Sequence, residues 1–345
     1  RIFCFGTQPV PGKWTWENGQ RENAPIGYRW SDDDGHTWSE TKLIAPVNDP
    51  GFMGMSVMRM TETDAGTWLI GSHLANWSVK PFTTQQYLLR SEDKGKTWTV
   101  LPGERPKGWF AEGFNRMDEG RPLNLGGGKV LFMSRTPQGH LFTAWSKDDG
   151  KTWTDLQAKV PGAPAGAWFN GLEPSHHAVG TVYMTIDNHR SDDRANYLYK
   201  SSDGGKTFTP IVGDLPASRV VRTVREDTRN ANVLYLGTEF GLFFTVDGGA
   251  HWVEIRNNLP TLAFNDLVIH PRDNDLVLGT HGRGIWILDD MGAMEAFDAA
   301  AMAAPAALAP IPPAYQIVTN SPQAWFGTGT FFAPNPDFGA SISYH

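Results

Sequence analysis

The sequence predicts an all-β fold, a β-propeller of about six four-stranded blades with seven as the alternative, and three observations predict it. One octapeptide recurs along the chain at blade-length intervals. Short strand patterns can be read outward from each copy. The 37 glycines and 24 prolines interrupt the 345 residues too often for long helices.

The octapeptide is Ser-x-Asp-x-Gly-x-Thr-Trp. Its copies are Ser31-Asp33-Gly35-Thr37-Trp38, Ser91-Asp93-Gly95-Thr97-Trp98, Ser146-Asp148-Gly150-Thr152-Trp153, Ser201-Asp203-Gly205-Thr207-Phe208 and the looser Thr245-Asp247-Gly249-His251-Trp252. Within such a turn the Asp and Ser side chains bond backbone N–H groups, the Gly supplies a positive φ, and the aromatic residue enters the core. The pattern resembles the Asp-box, or BNR, repeat of sialidases and related propellers. The strands follow in order. Blade 1 begins at its B strand, residues 2–6, so its innermost strand is missing. A strand near 315–318, or residues outside this chain, would close the ring. Blade 2 reads as strands at 55–60, 67–72, 87–90 and 97–100, with the octapeptide in the C-to-D turn. Blades 3, 4 and 5 span 120–156, 172–211 and 220–255, and a sixth without an octapeptide has strands at 266–270, 275–280 and 284–288. Residues 1–290 therefore read as the propeller, 291–315 as an Ala/Pro-rich linker, and 316–345 as the start of a further β-domain or a ring-closing strand.

The net charge of −7 repels phosphate backbones and anionic membranes, so nucleic acid is excluded as a partner. No apolar run approaches the roughly 20 residues of a membrane span, and the Ala-rich stretch from Ala299 to Ala309 is broken by Pro305. Cys4 is the single cysteine, which leaves neither an internal disulfide nor a thiolate metal cluster, and nothing in the sequence calls for a metal or cofactor. Both ends read as cut from a larger protein, with no signal peptide at Arg1.

Two further resemblances divide the chain. Residues 1–156 resemble the bacterial sialidase, rhamnosidase and rhamnose-glucuronate lyase branch, through Gly54-Met-Ser-Val-Met-Arg59, Trp68-Leu-Ile-Gly-Ser-His73, Asp118-Glu-Gly-Arg-Pro122 and Phe132-Met-Ser-Arg135. Residues 168–345 resemble large bacterial BNR-repeat proteins of the sortilin-like or "glycosyl hydrolase" kind. Leu172-Glu-Pro-Ser-His176, Leu234-Tyr-Leu-Gly-Thr-Glu-Phe-Gly241 and Leu278-Gly-Thr-His-Gly-Arg-Gly-Ile-Trp-Ile-Leu-Asp-Asp290 carry that likeness. Repeat spacing shortens along the chain, which suggests a junction near 157–170; a composite still builds a propeller because each blade contacts mainly its neighbours.

Strand order orients the site. If the octapeptides mark the C-to-D turns, the B-to-C and D-to-A connections open on the other face, where chemistry concentrates on loops. The ends of B strands there carry His73, Arg135, Asp187, His189, Arg190, Glu239, His281 and Arg283. D-to-A approaches add Asp118, Glu119, Arg121 and Glu173, and long loops carry Trp14, Trp16 and Trp77, whose rings suit stacking on sugar faces. The resemblance implies Arg121 and Arg135 as a bidentate clamp on a sialate or uronate. In a lyase-like reading His73 is the general acid or base, beside the carboxylates Asp118 and Glu119. The sialidase Arg-Ile-Pro motif is absent, and no Tyr can be assigned as nucleophile. Blander roles stand beside these: Arg121 and Arg135 as bridges between blades, and His73 as a structural histidine. Gly279 to Gly284 reads as a turn, since it leads into a strand and not a helix. His176 and His177 point to opposite faces, and Asp32-Asp33-Asp34 belongs to a turn. The expected activity is a glycoside hydrolase or uronate-directed lyase on acidic glycans, extracellular or periplasmic. A non-catalytic propeller binding glycan or protein is the alternative.

Overall fold

Segments rich in Val, Leu, Tyr and Phe, cut at short intervals by Gly and Pro, pair as antiparallel strands with two apolar faces. The computed structural model describes residues 1–7, 23–58, 60–102, 108–110, 116–135, 141–156, 160–164, 168–314 and 339–344. Among the described residues six sheets follow in chain order. The first has β1 (Ile2–Thr7), β2 (Ile26–Ser31) and β3 (Lys42–Leu43); the second β4 (Thr61–Glu62), β5 (Trp68–Asn76), β6 (Thr83–Ser91) and β7 (Thr99–Leu101). The third holds β8 (Asp118–Asn124), β9 (Val130–Arg135), β10 (Leu141–Ser146) and β11 (Thr154–Leu156), and the fourth β12 (Trp168–Pro174), β13 (Val182–Asp187), β14 (Tyr197–Ser201) and β15 (Thr209–Pro210). The fifth comprises β16 (Val221–Glu226), β17 (Leu234–Thr238), β18 (Gly241–Thr245) and β19 (Val253–Ile255); the sixth, β20 (Phe264–Ile269), β21 (Leu276–Thr280) and β22 (Ile285–Leu288). The chain is nearly all β, in the sheet order of a propeller.

Five apolar clusters cement the five junctions between successive sheets. Tyr28 and Ile26 meet Trp68 and Ile70 at the first, and Leu69 and Leu88 meet Phe132 at the second. Leu131 and Met133 meet Met184 and Tyr199, Tyr183 meets Leu234 and Leu236, and Tyr235 and Leu242 meet Leu276 and Leu278. Each sheet thus presents alternate residues of its second strand to opposite neighbours, and each fully buried Leu or Phe contributes about 2 kcal/mol. Sheets approach most closely at glycine. A Cβ on Gly71 would sit 1.8 Å from the carbonyl oxygen of Gly120 in the next sheet.

The octapeptide turns join the last two strands of their sheets. In the second sheet the Ser91 hydroxyl donates to Asp93 at 2.8 Å and accepts from the Gly95 N–H at 2.8 Å; Asp93 accepts from the Thr97 N–H at 2.8 Å and hydroxyl at 2.6 Å. Trp98 is buried beneath, its Nε1 donating to Gly95 O. The same hydroxyl donations, followed by the Thr37 N–H, hold Asp33 down at about 2.

Some boundaries differ from expectation. Residues 55–58 run beside β5 through Met55 N to His73 O and Met58 N to Gly71 O, but the ladder proper is only Thr61–Glu62, because Gly54 pairs with Ala24 and the Ser56 carbonyl accepts from the Ser72 hydroxyl instead. The expected linker contains two helical turns, α1 (Gly292–Ala296) and α2 (Ala299–Ala303), the second capped by Asp298. The proposed closing strand at 315–318 lies outside the described residues, as do Trp14 and Trp16. Among the described residues, no helix is long and apolar enough to cross a membrane.

Candidate functional site

Register places the site. In four sheets the second strand begins opposite the Ser or Thr that opens the octapeptide: Trp68 with Ser91, Val130 with Ser146, Val182 with Ser201, Leu234 with Thr245. Five residues on, toward the other rim, come His73, three residues before the end of β5, and Arg135, Asp187 and Glu239 at or just past the ends of their strands, and His281 holds the same place after Leu276. These residues therefore share the rim opposite the octapeptide turns, here called the upper rim.

The inner strands add a second regularity. Their pairing slips at the upper end in four sheets, between Asp118 and Arg121, Phe169 and Gly171, Val221 and Thr223, and Phe264 and Asp266. A bulge inserts an extra residue and re-aims its side chain. The residues set out of register are Glu119 with Gly120, Asn170, Arg222 and Asn265. Glu119 also has φ of 54°, a strained value for a residue with a side chain.

Two ionic clusters form at this rim. Asp118, 3% exposed, accepts from the Thr84 hydroxyl at 2.5 Å and from Arg116 at 2.5 Å, with Arg135 at 3.4 Å. Arg135 also lies 3.4 Å from Glu119. His73 is buried beside them, its Nδ1 3.0 Å from Ser56 Oγ and 3.4 Å from the Glu119 N–H. Burial pushes His73 down to about 4, against the pull of Asp118 and with the help of Arg116 and Arg135. In the second cluster Arg222 donates to Asp187 at 2.5 Å and to Glu239 at 2.8 Å. Asp187 also accepts from the backbone N–H of His189 at 2.9 Å and holds its Nδ1 at 2.6 Å. Burial works against the charge on Asp187, but these bonds and Arg222 keep its carboxyl below the usual range.

Other candidates lie elsewhere or act differently. Glu173 pairs with Tyr183, next to the Val182–Ser201 pair, so it sits toward the octapeptide rim and not with Asp187. It meets Arg225 and His176 at 3.5 Å each, and its bond to His176 raises that imidazole's affinity for a proton. β12 runs from the upper rim at Trp168 downward, and Glu173 falls toward its far end. Trp77 stacks one face on Phe82 at 4.2 Å, and Phe82 in turn lies 4.6 Å from the Arg116 guanidinium, so this aromatic pair supports Arg116. Arg121 is exposed on β8, and His281 and Arg283 are exposed in the turn between β21 and β22. Sequence reasoning missed Arg116, Arg222 and Arg225. The signal for the last two was present, as charged residues inside the apolar run Val220-Val-Arg-Thr-Val-Arg-Glu226.

A family model described as a BNR repeat-like domain matches residues 1–213, running through the suspected junction at 157–170. A Paenibacillus xyloglucanase is 25% identical over 215 residues, which are 61% of this chain and 19% of that protein, so the chain spans about a fifth of this curated relative. Among solved structures, an ancestral GH74 enzyme aligns at a TM-score of 0.51 and 14% identity, covering 82% of this chain and 37% of its own. An α-L-arabinofuranosidase from Fusarium graminearum in complex with an iminosugar inhibitor aligns at 0.50 and 16%, covering 81% of this chain and 85% of its own. These two likenesses carry the fold.

Proposed function

The chain belongs to the BNR repeat-like family, and we propose that it is a carbohydrate-active propeller module that hydrolyses a glycan at its upper rim. The observation that carries this reading is the convergence there of bulge residues and second-strand ends: Glu119, Arg222, His73, Arg135, Asp187 and Glu239. Two buried carboxylates, Asp118 and Asp187, are each fixed by arginine, which is the preorganisation that carboxylate-based glycoside chemistry uses. The xyloglucanase relative supports the substrate class. Action outside the cytoplasm accords with it.

The substrate's charge is the finer question. Arg135 already faces Asp118 and Glu119, and Arg222 faces Asp187 and Glu239. Guanidinium groups so compensated offer little to a sialate or uronate, and Arg121 alone remains of the expected clamp. The geometry therefore favours a neutral glycan over an acidic one. One experiment separates the readings: incubation with xyloglucan oligosaccharides, sialosides and rhamnosyl-glucuronate oligosaccharides, following reducing ends and unsaturated uronate. New reducing ends from the neutral substrate are expected. Unsaturated uronate would restore the lyase reading, and binding without any product would make the chain a glycan-binding module.

A further inference from the structure

Two histidines of the upper rim, His73 and His189, are held in opposite tautomers. Nδ1 of His73 faces the Glu119 N–H, which can only donate, so that nitrogen accepts and the ring proton sits on Nε2. The ring is 2% exposed. His189 is the reverse. Its Nδ1 lies 2.6 and 2.8 Å from the two oxygens of Asp187, and a carboxylate can only accept, so Nδ1 carries the proton and Nε2 presents a lone pair. The side chain is 40% exposed, and among the described residues Nε2 has no hydrogen-bond partner.

The surroundings complete the device. Asp187 is buried and bonded through Arg222 to Glu239 in the next sheet, so the carboxylate that orients His189 is itself fixed from two sides. The charged groups nearest this pair are Asp187 itself, at the end of β13, Arg222 and its partner Glu239 from the fifth sheet, and Arg190 and Asp193 in the segment that follows.

We propose that His189, oriented by Asp187, is the general base of the upper rim, a role that rests on the hydrolase reading. Nε2 takes a proton from a water, whose oxygen forms the new bond to the anomeric carbon. The glycosidic bond breaks with its electron pair on the departing oxygen, which takes a proton from solvent, and the imidazolium returns its own to solvent. One water is consumed and the side chain is restored. His73, buried and accepting through Nδ1 from the Glu119 N–H, positions Glu119 and Ser56 instead.

The test uses the whole chain and two measurements. Nitrogen NMR of the imidazoles should show His189 as the Nδ1–H tautomer in the protein without substrate; the Nε2–H tautomer would overturn the proposal whatever the substrate. On the glycan that gives product, His189→Gln should lower kcat about 100-fold or more while the glycan's Kd stays within about twofold, and the acid limb of the pH–rate profile should disappear. Unchanged turnover in His189→Gln, with the wild type active, overturns the base alone. A wild type that binds glycan but releases nothing overturns the hydrolase reading and the base together.

Discussion

Nη1 of Arg222, at the bulge of one sheet's inner strand, lies 2.5 Å from Oδ2 of Asp187 at the end of another sheet's second strand. That contact ties the upper rim across a sheet junction, and both groups are largely buried, at 19% and 6% side-chain exposure. Removing one partner of such a pair strands the other's charge in a poor solvent. Arg222→Ala should therefore destabilise by about 3–5 kcal/mol in urea denaturation. Arg256→Ala, which breaks an exposed pair with Glu254, should leave the midpoint unchanged.

His73 sets a pH dependence. Its folded value is about 4 against an ordinary 6.5, so the unfolded chain takes up a proton first as pH falls. The stability it protects is complete above about 6.5 and is lost as pH falls from there toward about 4, by about 3 kcal/mol in all. Denaturation midpoints measured across that window should show the loss, and His73→Gln should remove one proton's worth of its slope. An identical slope in the variant would mean another group sets it.

Two glycines at equivalent register make a paired test. Gly71 faces the Gly120 carbonyl of the following sheet, where a Cβ would collide at 1.8 Å, whereas the nearest atom to a Cβ on Gly279 is Asp266 O at 3.5 Å. Gly71→Ala should cost about 1–3 kcal/mol or more, since the obstacle is backbone that cannot rotate away. Gly279→Ala should fold like the wild type. Equal effects at both positions would contradict the packing described.

The octapeptide turn is a local staple. Asp93 accepts three hydrogen bonds within its turn and so fixes the path that buries Trp98. Asp93→Ala should lower stability by roughly 1–2 kcal/mol and raise the exposure of Trp98, read by fluorescence. A blue-shifted, unquenched spectrum identical to the wild type would argue against the staple.

Much of the fold was legible because its determinants are local. Ser91, Asp93, Gly95 and Thr97 bond one another within seven residues, and strands read outward from each octapeptide put the ends of the second strands, with His73, Arg135, Asp187 and Glu239, on the rim opposite the turns. What escaped was non-local. Glu173 was placed at the wrong end of its strand because the sequence does not say where β12 begins. Arg222 is a charged residue within an apolar strand, and its role shows only where the bulge brings it to two carboxylates, from β13 and the end of β17. The burial of His73 depends on Ser56 and Glu119, which reach it from segments 17 and 46 residues away. Isotope-edited NMR of the whole chain, titrated with xyloglucan oligosaccharide, tests the central claim most directly. Shifts should concentrate at His189, Glu119 and Glu239 on the upper rim and spare Thr97, Thr152 and His251 at the octapeptide turns. Shifts confined to the octapeptide rim, or none at saturating glycan, would contradict it.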